Sequence, residues 1–261
     1  MNWFQRLFLR RRTQIDSAAL SDRGLVRTDN QDHVLVNRGR LVYCVADGMG
    51  GGEGGAKASE IVCRRLGAAV ARRTDFAERL KRIHEALAEA NREIRAYAAR
   101  AGFTRQMAST AALLALDPGT CRQAVVGFIG DSRVYRLRGG GLLQLSRDHT
   151  IGRELSLQAN SRAVAAGLRD RALAISHMLT RAVGVLPEVV PEWRRIDVRR
   201  GDVFLVCSDG LYDAVPEKKI QAALAAGVSA RETVARLGAL AVAGGAGDNY
   251  SLVVVRIGGR R

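Results

Sequence analysis

The chain has few aromatic residues, little acidic charge and no long apolar run, and each shortage excludes something. Aromatics make up 5% of its 261 residues, too few for the stacking platforms that single-stranded nucleic acids favour. No apolar stretch approaches the roughly 20 residues of a transmembrane helix. The four cysteines, Cys44, Cys63, Cys121 and Cys207, lie far apart and form no C-x-x-C pair. They read as reduced thiols of a cytoplasmic protein, most of them in apolar segments. The four histidines, His33, His84, His149 and His177, make no H-x-x-x-H spacing, so a zinc-binding helix is not indicated. No G-x-S-x-G elbow is present, Ser132 has no Ser/His/Asp context, and no cysteine lies in a glycine-rich, arginine-flanked loop. A side-chain nucleophile is therefore unsupported.

Basic charge is abundant. Forty-one Lys and Arg stand against 26 Asp and Glu, a formal net charge of +15. That balance favours acidic partners: nucleic acid, anionic lipid or phosphorylated protein. The arginines are scattered, as in Arg64-Arg65, Arg72-Arg73, Arg194-Arg195 and Arg199-Arg200. Codon bias in a GC-rich genome explains such a scatter equally well, and nucleic-acid binding is set aside as the main function. The first twelve residues, MNWFQRLFLRRR, place Trp3, Phe4, Leu7 and Phe8 at helical spacing beside Arg6, Arg10, Arg11 and Arg12. Residues 1–12 read as a basic tail that is either frayed or in peripheral contact with a membrane surface or partner. They lack a signal-peptide cleavage pattern.

Apolar alternation predicts strands over 14–22 and 33–46, the latter broken by a turn at Asn37-Arg38-Gly39. Two long helices are expected at 56–71 and 76–100. Four strands follow at 109–116, 122–129, 133–138 and 142–146, separated by turn signals such as Asp117-Pro118-Gly119. Residues 150–182 carry helical segments. Residues 192–198 and 202–208 read as a hairpin pair, followed by helices at 216–225 and 229–243 and a last strand at 250–257. Neither an internal repeat nor a long linker is evident. Strands and helices come in blocks, which argues for an α+β fold with mainly antiparallel sheets and helices outside them.

The stretch VADGMGGGEGGAK, Val45 to Lys57, contains G-x-G-x-x-G at Gly50, Gly52 and Gly55. A dinucleotide-binding fingerprint also needs a second parallel strand ending near an acidic residue about 20 positions on. Asp75 has the spacing but falls between two helices, so the glycines spell the motif through their density alone. The more informative residue is Asp47. It ends the run LVYCVA, as Asp131 ends VVGFIG and Asp209 ends VFLVCS, while Asp248 precedes YSLVVV and Asp32 closes Arg27-Thr28-Asp29-Asn30-Gln31-Asp32. Any one of these is an ordinary turn aspartate. Five of them beside apolar strands suggest convergence. Converging carboxylates raise one another's pKa unless divalent cations relieve the repulsion. An all-oxygen donor set suits Mg²⁺ or Mn²⁺. Two such ions about 3.5–4 Å apart activate water for phosphate ester hydrolysis. Arg27, five residues before Asp32, is placed to grip a phosphate.

The ordered set Ser21-Asp22-Arg23-Gly24-Leu25-Val26-Arg27, Asn30-Gln31-Asp32, Ala46-Asp47-Gly48-Met49-Gly50-Gly51, Ser109-Thr110-Ala111, Gly130-Asp131-Ser132-Arg133, Cys207-Ser208-Asp209-Gly210-Leu211 and Gly247-Asp248-Asn249 resembles the metal-dependent Ser/Thr protein phosphatases of the type 2C class, in their compact bacterial form. The resemblance spans nearly the whole chain. It implies a central β-sandwich of two sheets flanked by pairs of helices. It implies one catalytic domain over 13–258, with a flap-like segment at 150–182. Asp47 would bridge two Mn²⁺ or Mg²⁺ ions, with the Gly48 carbonyl in one coordination shell, Asp209 and Asp248 on the other ion, and Asp32 supporting the cluster. Asp131 with Asp209 would hold a third, weaker ion. Asp47, Asp209 and Asp32 would serve catalysis, Arg27 would hold the substrate phosphate, and a metal-bridging water would attack phosphorus. The implied substrates are phosphoserine and phosphothreonine proteins, in opposition to a bacterial Ser/Thr kinase, with the enzyme a cytoplasmic monomer. Phosphotyrosine or small phosphate esters as substrates, and a non-catalytic binding module of the same fold, are the alternatives. Three features depart from the pattern. Gln31 stands where many relatives have Glu, Met49 where eukaryotic members have a histidine, and residues 150–182 match least well.

Overall fold

The computed structural model describes residues 14–69, 75–102, 107–158 and 175–258; the basic tail at 1–12 lies outside them. Among the described residues, eleven strands build two sheets. The first has the order β1 (Ile15–Asp22), β11 (Tyr250–Ile257), β10 (Val203–Cys207), β7 (Arg133–Arg138), β8 (Gly141–Gln144). The second has the order β2 (Asp32–Asn37), β3 (Val42–Met49), β5 (Ala111–Leu116), β6 (Gln123–Ile129), β9 (Glu192–Asp197), with the two-residue β4 (Ala108–Ser109) against the end of β3. Every strand pairing is antiparallel.

The central strands are apolar on both faces because each face meets another layer. In β5, Ala111, Leu113 and Ala115 point to one helical layer, and Ala112, Leu114 and Leu116 point between the sheets. In β10, Val203, Leu205 and Cys207 meet the other helical layer while Phe204 and Val206 fill the inter-sheet core. The first helical layer is α1 (Gly52–Ala69) and α2 (Phe76–Ala101). Asp75 caps α2 by accepting from the Glu78 N–H at 2.8 Å, and Gly102 ends it in the left-handed region at φ 65°. The second layer contains α5 (Glu217–Ala225) and α6 (Ala230–Ala243), the latter opened by a Ser229–Glu232 capping box. The result is the four-layered sandwich, helices–sheet–sheet–helices, that the resemblance implied.

Many of the scattered arginines staple elements together. Arg65 pairs with Glu89 and Glu93 across α1 and α2, Arg133 with Asp148, and Arg138 with the buried Asp202.

Several expectations are corrected. Residues 192–198 and 202–208 do not form a hairpin. β9 pairs with β6 and β10 with β7 and β11, so the chain changes sheets at Arg199–Asp202. The burial of the strands explains this: β9 is a mostly exposed edge strand, whereas β10 is buried throughout. The strand expected at 109–116 is interrupted at Thr110, whose backbone turns to Asp47. Within 150–182, the helix α3 covers Ile151–Gln158. Residues 175–182 are turns with an isolated bridge between Thr150 and Leu179 rather than helix, and 159–174 lie outside the described residues. A six-residue helix, α4 (Asp209–Ala214), was not anticipated.

Candidate active site

The five aspartates sit where strands end or where the chain crosses between sheets. Asp32 opens β2 and lies directly opposite Asp47 on β3, a pairing of like charges that costs stability on a sheet. Asp131 occupies the crossing from β6 to β7, Asp209 opens α4 after β10, and Asp248 precedes β11.

Burial and mutual repulsion leave four of these carboxyls, those of Asp32, Asp47, Asp131 and Asp209, poorly disposed to ionise. Asp32 is 4% exposed. Its Oδ2 accepts from Ser208 Oγ at 2.7 Å, but its buried Oδ1 has no hydrogen-bond partner. Burial pushes its pKa up to about 7. Burial, and then the charges of Asp32, Asp209, Asp131 and Asp248, hold Asp47 well above the usual carboxylate range. Asp131 is raised to about 7 by burial and then by Asp209. Asp209 is raised to about 6 by burial and then by Asp213 and Asp248. The five therefore converge electrostatically. Among the described residues, no three His, Cys, Asp or Glu side chains close into a finished metal cage.

Arg27 reaches the same place from the β1–β2 loop. Its Nη2 donates to Asp248 Oδ2 at 2.7 Å, with both side chains largely exposed. The loop is held from below. Gly24 has φ 76°, and a Cβ there would lie 2.3 Å from the Asp248 carbonyl oxygen, so glycine is required. Asn249 is its staple. Its Oδ1 accepts from the Gln31 N–H at 2.9 Å, and its Nδ2 donates to the carbonyls of Arg23 and Asp29 at 2.9 and 2.8 Å.

A framework of small polar residues fixes the carboxylates. Thr110 exchanges two hydrogen bonds with the Asp47 backbone, at 2.8 and 2.9 Å, and its Oγ1 meets Ser132 Oγ at 2.7 Å. The Ser251 N–H donates to Ser208 Oγ at 2.8 Å, which aims that hydroxyl at Asp32. His149 is buried, accepting from the Gly130 N–H at 3.2 Å beside Asp131 while its Nε2 meets Glu192. Its contacts are those of a structural histidine.

The glycine-rich stretch packs on itself. A Cβ on Gly48 would lie 2.0 Å from the Gly55 carbonyl oxygen, so the strand end and the first turn of α1 touch through backbone. Gln31 spans that contact. With its amide oriented to satisfy both atoms, Nε2 donates to the Gly48 carbonyl at 3.1 Å and Oε1 accepts from the Gly52 N–H at 3.3 Å. An amide makes both bonds, whereas a carboxylate could not donate to Gly48.

Sequence reasoning brought Asp32, Asp47, Asp131, Asp209, Asp248 and Arg27 to one place but overlooked Asp213. This residue is exposed on α4, its pKa is raised chiefly by partial desolvation, and it bears on Asp209. Its only signal was a four-residue spacing from Asp209 on a helix too short to show periodicity.

Two antiparallel sheets between helical layers, with aspartates gathered at strand ends beside an arginine, define a family of phosphoprotein phosphatases. The chain belongs to that family: the model for Protein phosphatase 2C matches residues 19–247. It is similar to the serine/threonine protein phosphatase PstP of Mycobacterium tuberculosis, 35% identical over 92% of this chain and 44% of that protein. The chain thus spans less than half the length of that relative. It also resembles the solved structure of PppA, described as a key regulatory component of T6SS in Pseudomonas aeruginosa (TM-score 0.81, 32% identity, 93% of this chain and 97% of that one). A third likeness is to the catalytic domain of PstP solved in complex with two manganese ions (TM-score 0.79, 31% identity, 93% and 98% coverage).

Proposed function

We propose that this chain is a Mn²⁺- or Mg²⁺-dependent phosphatase of phosphoserine and phosphothreonine proteins, acting as a cytoplasmic monomer against a Ser/Thr kinase, with one catalytic domain over 13–258. The observation that carries the reading is the Asp32 carboxylate, buried against Asp47 with one oxygen lacking any hydrogen-bond partner. A buried, unpartnered carboxylate oxygen calls for a cation, and no basic side chain hydrogen-bonds to it. The surrounding donors are hard oxygens without cysteine or histidine, which suits Mn²⁺ or Mg²⁺. Among the described residues, no helix is long and apolar enough to cross a membrane.

In this reading Asp32, Asp47, Asp209, Asp248 and the Gly48 carbonyl hold two ions, and Asp131 with Asp209 takes a third, weaker one. The ions supply a water of lowered pKa and neutralise phosphoryl charge. The protein does the rest. The Asn249-stapled loop holds Arg27 at the rim, where the guanidinium exchanges Asp248 for two phosphoryl oxygens in bidentate fashion. Ser208 and Thr110 keep Asp32 and the Asp47 backbone in place, so little reorganisation accompanies the reaction. Met49 carries no proton to give, so the departing alkoxide takes its proton from solvent.

A manganese-dependent assay against phosphoserine, phosphothreonine and phosphotyrosine peptides tests this. Hydrolysis of the first two is expected, abolished by chelation and restored by Mn²⁺. Activity that survives chelation would refute the metal requirement, and preference for phosphotyrosine would redirect the substrate class. Arg27→Ala is expected to raise KM for phosphopeptides by roughly 10-fold with a smaller change in kcat. Unaltered kinetics would place Arg27 outside the site.

A further inference from the structure

Leu25 and Val26 are the most exposed large apolar residues among those described, at 64% and 70%. They are consecutive and immediately precede Arg27. Single exposed apolar side chains need no explanation. These two differ because the backbone beneath them is fixed. The Leu25 N–H donates to the Ala246 carbonyl at 2.9 Å, the Gly24 N–H to Asp22 Oδ1 at 2.9 Å, and the Arg23 side chain to the Thr28 carbonyl at 3.3 Å. With the Asn249 staple, the loop presents two bare hydrocarbon side chains as rigidly as it presents the guanidinium. The fold gains nothing from this, since a solvated loop would be served equally by polar residues.

We infer that Leu25 and Val26 form the apolar half of a substrate-recognition surface, taking a hydrophobic side chain one or two residues from the phosphorylated residue of the target protein. The inference rests on the phosphatase reading, which places the phosphate on Arg27. Charge and reach then select the occupant. The phosphate dianion anchors the target at Arg27. Val26 and Leu25 stand in the turn directly before the anchor, and an extended target segment covers about 3.3–3.6 Å per residue. A residue adjacent to the phosphorylated position, or one further, is therefore within reach of the pair. A pair on a backbone already held in place pays only side-chain ordering when covered, which favours it as a contact surface.

The test compares phosphothreonine peptides carrying Leu or Ser at each of the four positions flanking the phosphorylated residue, in Mn²⁺. The parent is expected to prefer Leu at one or more of these positions by about tenfold, expressed in KM, which matches burial of part of one leucine side chain. The Leu25→Ser/Val26→Ser double variant, checked for folding by its melting temperature, should bring that ratio within about twofold. A Leu143→Ser control on β8 should retain it. Absence of the preference in the parent, or its persistence in the double variant, overturns the inference. So does a loop that mediates self-association instead, seen as a parent dimer in sedimentation that the double variant abolishes while the ratio stays unchanged. If the parent hydrolyses no peptide, the phosphatase reading fails on its own. Fluorescence-anisotropy binding of the Leu and Ser peptides then decides the inference: a Leu preference lost in the double variant upholds it, and equal binding overturns it.

Discussion

Asp47→Asn is expected to lower kcat by at least about 10³-fold while leaving the fold intact. Asp47 is the carboxylate on which the charges of Asp32, Asp131, Asp209 and Asp248 all act. Asn preserves its shape and removes the negative charge that would bind cations. The backbone bonds to Thr110 do not involve the side chain, so the strand end has no reason to move. The second readout is stability. In chelator, the variant should melt no lower than the parent, because one member of a mutually repelling group is gone. Added Mn²⁺ should then raise its melting temperature far less than it raises that of the parent, since binding to the native state stabilises by mass action. Near-normal kcat, or an undiminished manganese-induced rise, would remove Asp47 from the site. Collapse of the fold in chelator would mean that the charge does structural work not visible in its hydrogen bonds.

Much of the layering was legible in the sequence because the central strands are apolar on both faces and the turns between them carry Gly, Pro and Asp. The strand-end aspartates were legible for the same reason: each is a charge placed where an apolar run stops. Sheet membership was not. A turn signal such as Arg199-Arg200-Gly201 marks a reversal but does not say whether the next strand returns to the same sheet. Here β9 is an exposed edge and β10 a buried centre, and the chain crosses between layers. The functional framework was also hidden in ordinary residues. Ser208, Ser251, Thr110 and Asn249 are common turn formers, and only the long-range pairings give them their tasks, such as aiming a hydroxyl at Asp32 or stapling the Arg27 loop. Gln31 shows the same limit. Notable in the sequence only for standing where many relatives have Glu, it lies against the Gly48 carbonyl and the Gly52 N–H, where its amide closes the glycine turn.

Chelated protein should lose stability between pH 6 and pH 8 more steeply than an Asp32→Asn variant does. The sign follows from the direction of the shifts. Asp32 and Asp131 hold pKa values of about 7 and Asp209 of about 6 in the folded chain, against an ordinary 3.8. The folded chain therefore keeps protons that the unfolded chain has already released, and its stability falls as pH rises through the folded values. Below the ordinary value both states are protonated and the penalty is absent; above about pH 7 it is complete. For Asp32 the change between pH 6 and pH 8 amounts to about one pKa unit, roughly 1.4 kcal/mol or about 3–5 °C in melting temperature for a domain of this size. His33 and His149 act in the opposite direction. Burial lowers both, so they cost stability as pH falls below their ordinary range. Subtracting the Asp32→Asn curve from that of the parent cancels their contribution and isolates the carboxylate. Mn²⁺ should close the gap between parent and variant at pH 8, where the carboxylates are ionised, and should stabilise the parent less at pH 6, where protons compete for the same oxygens. Parallel parent and variant curves in chelator would show that Asp32 ionises freely in the folded chain, and with that the case for a cation at its unpartnered oxygen would fall.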